Sequence, residues 1–241
     1  MKITIIIPAR YNSSRFQGKP LAKILGKEMI LRVLEICSRT LDKKKIFVAT
    51  DNKKIEKLIK LHNYKAIMTS SKCPTGTDRI AEANKRIKSN IIINVQGDEP
   101  TIRTADIKKI INAKRKYPKH VICGYTSINK NGDEKNINLP KVAINHASDL
   151  VYMSRSPIPG NKDSKIKIKY FKQVCIYAFN KLELERFRKF GKKGNLEKIE
   201  DIEILRFFEL GIPIKMVKLS KSSIAVDVKT DIKKVENYLS R

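Results

Sequence analysis

Three short runs rich in β-branched residues decide what this chain can fold into: ITIIIP at 3–8, KIFVAT at 45–50 and NIIINVQG at 90–97. None alternates polar with apolar, so each must be covered on both faces, which a parallel sheet between two helical layers achieves. Between the runs the apolar period becomes helical. Met29, Ile30, Val33, Leu34 and Ile36 share a face of 28–40, and Ile55, Leu58 and Ile59 repeat this in 52–62. Strand, helix and strand at this interval make right-handed βαβ units. Residues 77–88 and 103–116 read as further amphipathic helices, the second stopping before Pro118.

From about 120 to 180 the pattern changes. VICGYTSI, KVAINH, LVYMSR and QVCIYAF are strand-like pieces separated by polar turns, which predicts antiparallel additions at the sheet edge and a dimerisation platform. Helical period returns at 181–190 and 196–210, IPIKMVKL reads as a strand, and 231–239 as a closing helix. With no Gly/Ser- or Pro-rich linker and no internal repeat, residues 1–241 form one expected domain. The expected class is α/β: a three-layer, mostly parallel Rossmann-like sheet with an antiparallel extension.

A chain of 241 residues buries a full core without staples. The four cysteines (37, 73, 123 and 175) form no CxxC pair and have no histidine at zinc-ligand spacing, so they read as reduced packing residues. No apolar stretch approaches 20 residues, and the N-terminal run is too short for a signal-peptide core, which predicts a cytoplasmic protein without membrane insertion. The net charge of +28 invites a polyanion-binding reading. Against it, lysine outnumbers arginine three to one, the lysines are spread over every segment, and aromatics are only 7% with no Trp. A solvated lysine-rich surface, with no specific nucleic-acid partner, is the simpler account.

Four segments carry chemistry. PARYNSSRFQGKPL follows the first strand and sets Arg10, Arg15 and Lys19 among the turn formers Asn12, Ser13, Ser14 and Gly18. Cations and exposed backbone N–H groups at the carboxyl end of a parallel strand suit a phosphorylated ligand, although neither GxxxxGK[ST] nor GxGxxG is present. NVQGDEP at 94–100 ends a buried strand in Gly97 and then presents Asp98 and Glu99; opposite a cationic loop, Asp98 is the better candidate to hold Mg²⁺. PTGTDRIAEA at 74–83 turns into a helix through Thr75, Gly76 and Thr77, where N-capping by either threonine is the ordinary reading. AVDV places Asp227 after a short apolar run, positioned to supply a second metal carboxylate.

In this order, the segments closely resemble the 3-deoxy-manno-octulosonate (Kdo) cytidylyltransferase family, itself related to the acylneuraminate cytidylyltransferases. The resemblance extends through VATD at 48–51, PKV at 140–142, YMSRSPIP at 152–159 and LEKIEDIEILR at 196–206. It implies a nucleotide-diphospho-sugar transferase fold and transfer of CMP from CTP to a keto sugar acid, with Mg²⁺ as cofactor and a homodimer as the assembly. It further implies that Arg10, Arg15 and Lys19 hold the triphosphate, that Thr75, Gly76, Arg79 and Gln96 surround cytosine and ribose, and that Asp98 and Asp227 are the metal ligands, with Lys19, Asp98 and Asp227 catalytic. Arg155, Gln173, Tyr177 and Glu200 or Glu203 fall at positions of the sugar side. The departures cluster on that side: Gln173 replaces a histidine, Cys175 and Ala178 replace glycines, Phe179 a tyrosine and Ile204 a glutamine. These substitutions keep open another acceptor, an amino-substituted Kdo or a nonulosonate.

Overall fold

The computed structural model describes residues 2–13, 15–128, 132–163, 165–220 and 223–240, so Ser14 of the cationic loop lies outside the described residues. Strand β1 (Ile3–Ala9) is buried along its whole length. A two-residue hairpin, β2 (Lys23–Ile24) and β3 (Lys27–Glu28), precedes α1 (Met29–Ser38). Then come β4 (Ile46–Thr50), α2 (Lys53–Leu61), β5 (Lys65–Met68), α3 (Gly76–Ile87), β6 (Ile91–Val95) and α4 (Thr104–Lys116). The second half holds β7 (Val121–Ser127), β8 (Lys141–Ile144), β9 (Leu150–Ser154), β10 (Phe171–Asn180), α5 (Lys181–Lys189), α6 (Asn195–Glu200), α7 (Leu205–Glu209), β11 (Ile214–Lys218) and α8 (Asp231–Leu239).

The main sheet runs β11-β7-β10-β6-β1-β4-β5, with β1 parallel to both β4 and β6. Its faces carry separate cores. Ile5 and Ile7 pack against α1, α2 and α4, while Ile6 packs on the opposite side toward α3, α5 and α7. Each fully buried isoleucine contributes about 1.5–3 kcal/mol of transfer free energy, which makes this strand the anchor of both cores. A smaller cluster of Phe16, Ile24, Met29, Val226 and Val235 ties the β2–β3 hairpin to α8.

Two expectations are corrected. The antiparallel strand β10 is not an edge addition, for it lies inside the sheet between β6 and β7. Its residues explain this: Val174, Ile176 and Ala178 enter one core while Tyr177 and Phe179 enter the other, a two-sided demand that an edge strand does not make. Among the described residues the β8–β9 hairpin stands off the main path, and β2–β3 forms a separate two-stranded sheet. The helix expected over 196–210 is two short helices, broken where Asp201 takes a left-handed conformation (φ 48°). The break lets α7 fold back on α6, where Glu209 accepts the Leu196 N–H at 3.1 Å and Arg206 meets Glu197.

Candidate active site

The carboxyl ends of β1 and β6 open into a cleft of about 310 Å³. Gly18, in a left-handed conformation (φ 69°), turns the chain so that Lys19 points back into it. Gly97 is required for a different reason, since a Cβ there would lie 3.0 Å from the Pro8 carbonyl and 3.2 Å from Ile30 Cδ1. Gly97→Ala is therefore expected to lower unfolding stability by about 1–3 kcal/mol, the ordinary cost of overpacking, and to displace the adjacent Asp98. A denaturant titration unchanged from the parent would show that Pro8 and Ile30 yield freely.

Three cations of the first loop, Arg10, Arg15 and Lys19, line the cleft, and so do Asp98 and Asp227. Lys19 Nζ donates to Asp98 Oδ2 at 2.5 Å and to the Val226 carbonyl at 2.9 Å, and it lies 4.0 Å from Asp227 Oδ1. Arg15 approaches the same Asp227 oxygen at 3.1 Å. Asp227 is not on a strand. An extended segment carries it beside Asp98, pinned by the Val226 N–H on the Asp98 carbonyl (2.9 Å) and the Asp227 N–H on Asp231 Oδ2 (3.0 Å).

One cationic centre thus already lies within reach of both carboxylates, and hard carboxylate oxygens are the donors that Mg²⁺ takes. Among the described residues no group of three or more His, Cys, Asp or Glu gathers as a metal cage. Two carboxylates with phosphate oxygens and water are what magnesium commonly uses, so the residues present fit that ion. The neighbouring Glu99 plays another part. Burial, and next the charge of Asp98, push its carboxyl up to about 8, and it rests against the Ser223 hydroxyl. The acidic pair is therefore divided into a cleft carboxylate and a buried neighbour whose carboxyl is held well above its ordinary range.

On the facing wall, Thr75 caps α3 through a reciprocal capping box with Asp78, which brings Thr75 and Gly76 to the cleft surface. Arg79 reaches the cleft but is engaged, donating to Asp51 Oδ2 at 2.8 Å and Thr69 Oγ1 at 2.6 Å. Gln96 Nε2 donates to Glu203 Oε1 at 3.3 Å, and the Thr77 N–H to Glu203 Oε2 at 3.1 Å. Burial raises the Glu203 carboxyl above its ordinary range. Cys73 also lines the cleft, but burial and a hydrogen bond to Glu82 push its thiol up to about 12, so it stays protonated and is no nucleophile.

The other sugar-side candidates lie outside the cleft lining. Glu200 accepts the Ser154 hydroxyl and the Arg155 N–H, each at 2.7 Å. The Arg155 guanidinium is held by the carbonyls of Glu200, Ile137 and Asp201, so the pair clamps the β8–β9 hairpin to α6. Gln173 Nε2 donates to the Tyr177 hydroxyl at 3.1 Å, and both residues are buried under the sheet surface. Ile204, read as facing the acceptor, is fully buried in the apolar core with Leu205 and Phe207. A glutamine there would meet aliphatic and aromatic carbon, so Ile204 cannot report on acceptor choice. Lys193 and Asp201, joined at 3.2 Å, complete the cleft rim. Lys193 precedes α6 and Asp201 ends it, and the sequence singles out neither as a site residue.

A family model described as cytidylyltransferase matches residues 4–219. The 3-deoxy-manno-octulosonate cytidylyltransferase of Escherichia coli is 33% identical over 240 residues, covering 100% of this chain and 97% of the relative. The 8-amino-3,8-dideoxy-manno-octulosonate cytidylyltransferase of Shewanella oneidensis is 35% identical over 246 residues, with 100% and 99% covered. Among solved structures, a CMP:2-keto-3-deoxy-manno-octonic acid synthetase complexed with CTP superposes with a TM-score of 0.93 at 34% identity, covering 100% of this chain and 99% of that one. With a cationic loop facing two carboxylates at the ends of parallel strands, and relatives matched over its whole length, this chain belongs to the cytidylyltransferase family.

Proposed function

We propose that this enzyme transfers CMP from CTP to the anomeric hydroxyl of a 3-deoxy-2-keto sugar acid, Kdo or its 8-amino relative, and releases pyrophosphate. The observation that carries the reading is the meeting of Arg10, Arg15 and Lys19 with Asp98 and Asp227 in one cleft. Cations alone would suit any anion. Cations facing a carboxylate pair suit a metal–triphosphate, whose charges pair with both.

In the reaction the anomeric oxygen attacks the α-phosphorus, and the bond from that phosphorus to the bridging oxygen breaks. The electron pair departs with pyrophosphate and the hydroxyl proton passes to solvent. Arg10, Arg15 and Lys19 bind the triphosphate and hold it in line, while Gln96 and the Thr75–Gly76 turn bound the nucleoside. Asp98 and Asp227 would hold Mg²⁺, which supplies Lewis-acid charge to the phosphate oxygens and acidifies the hydroxyl. No covalent enzyme intermediate is required, in keeping with the protonated Cys73. Positioning and preorganised charge supply the acceleration.

Both acceptors stay in view because relatives named for each match at similar identity, 33% and 35%. The assembly we infer is a cytoplasmic homodimer serving lipopolysaccharide biosynthesis. Exposed Ile137, Val151 and Ile166, all between 120 and 180, supply apolar surface for a partner copy. No helix among the described residues is long and apolar enough to cross a membrane.

Lys19 offers a separate check on the chemistry. Lys19→Ala is expected to lower kcat by about 10²-fold, more than it weakens CTP binding, because its charge matters most as negative charge builds on the leaving pyrophosphate. Steady-state kinetics beside calorimetric CTP binding would read both quantities. Weaker binding with unchanged kcat would confine Lys19 to ground-state binding. The reading as a whole is tested by pyrophosphate release from CTP with Mg²⁺ and each sugar acid.

A further inference from the structure

Helix α8 begins without a side-chain cap. Thr230 precedes it in a helical conformation, and its hydroxyl makes no capping bond to the first N–H groups. The first helical residue, Asp231, could take up that work, since a carboxylate is favoured beside the free N–H groups of a helix start. It turns backward instead. Asp231 Oδ2 accepts the N–H of Asp227 at 3.0 Å and that of Val228 at 3.1 Å, and Oδ1 accepts from Lys234 Nζ at 2.7 Å. Among the described residues, no N–H of its own helix shares this carboxylate.

The two N–H groups that it holds belong to the peptide planes on either side of the Asp227 Cα. Those planes are rigid, so fixing both fixes φ and ψ of Asp227, and with them the direction of its side chain. The plane before Asp227 is gripped from its other side as well, where the Val226 carbonyl accepts from Lys19 Nζ at 2.9 Å. The Asp227 side chain itself is 47% exposed, and its ionic contacts are Arg15 at 3.1 Å and Lys19 at 4.0 Å. Both are the cations read as binding the triphosphate. Phosphate oxygens would compete for them, whereas the bonds from Asp231 to the backbone are left untouched.

We propose that Asp231 is a positioning residue for Asp227, holding both flanking N–H groups so that Asp227 faces Asp98 when Arg15 and Lys19 turn to phosphate. The proposal rests on the reading that Asp98 and Asp227 hold Mg²⁺. Partners behind a metal ligand set its orientation and so contribute to metal affinity.

Asp231→Ala removes the carboxylate but leaves α8 its anchorage, because Val235 packs in the small cluster with Phe16 and Val226, and Glu236 accepts the Leu25 N–H at 2.9 Å. Calorimetric CTP binding, measured across a Mg²⁺ titration and again with the metal chelated, reads the role without turnover. In Asp231→Ala the Mg²⁺ concentration that half-saturates the gain in CTP affinity is expected to rise about tenfold, while metal-free CTP affinity stays within about twofold of the parent. Asp231→Asn, which keeps an oxygen for both N–H groups, is expected to recover most of the loss, and Lys234→Ala, which leaves both bonds in place, to match the parent. A magnesium dependence in Asp231→Ala equal to the parent's overturns the proposal. So does a loss of CTP affinity of the same size with and without metal, which would make Asp231 only a brace for α8. If Asp231→Ala fails to fold, Asp231→Leu, of similar length and high helix propensity, decides by the same criteria. A parent whose CTP affinity ignores magnesium overturns the metal reading and this proposal with it. No sugar acid enters the measurement, so the acceptor reading is judged separately by pyrophosphate release.

Discussion

Asp98→Asn and Asp227→Asn are each expected to lower turnover by about 10²–10³-fold, the effect of losing one preorganised electrostatic contact, while the fold persists. The two carboxylates come from distant parts of the chain and are brought together by the Val226 N–H on the Asp98 carbonyl. Lys19 Nζ, at 2.5 Å from one and 4.0 Å from the other, marks where a cation meets both. An amide keeps the shape and a neutral oxygen donor but removes the charge proposed to hold magnesium. Raising Mg²⁺ should therefore recover part of the lost rate in each variant. Far-ultraviolet circular dichroism and thermal melts separate this from unfolding, and near-parental turnover in either variant would remove that residue from the metal site.

The largest expected loss of stability lies outside the chemistry, at Arg206. Its side chain is 1% exposed and its guanidinium sits 3.7 Å from the Phe187 ring centroid. It donates to both oxygens of Glu197 (2.6 and 2.8 Å) and of Asp78 (2.9 and 3.2 Å). Arg206→Leu leaves two carboxylates with little or no water to replace the guanidinium, and the expected cost is about 3–5 kcal/mol in a urea titration. Asp78 also closes the capping box with Thr75, so the wall carrying Thr75 and Gly76 should loosen and the KM for CTP should rise. Arg206→Lys is expected to recover little, because an ammonium cannot make two bidentate contacts. A loss below about 1 kcal/mol for Arg206→Leu would mean that the carboxylates find other partners.

What the sequence disclosed follows the range of the interactions. β1, β4 and β6 were legible because burial on both faces writes itself as a continuous apolar run. The nucleotide side was legible because Arg10, Arg15, Lys19 and Asp98 leave strand ends within a few residues of the buried core. The interior place of β10 was not, since neighbouring in a sheet depends on pairing across 80 residues, although its two-sided apolar pattern held the clue. Short β2, β3 and β5 bury too little to leave a pattern. On the sugar side, sequence position stood in for geometry and misled at Ile204, whose neighbours Glu203 and Arg206 face cleft and ion pair while it turns into the core. The Arg155 guanidinium is taken up by backbone carbonyls and the Glu200 carboxylate by the Arg155 N–H and the Ser154 hydroxyl, a closure that residue type alone does not reveal.

Transfer of CMP to a keto sugar acid is tested most directly by pyrophosphate release from the purified enzyme with CTP and Mg²⁺, measured with Kdo and with its 8-amino relative. The expected result is release that requires all three components, stops when magnesium is chelated, and yields the CMP-sugar in equal amount with at least one acid. Pyrophosphate release without formation of a CMP-sugar, or no turnover of CTP with either acid, would contradict it.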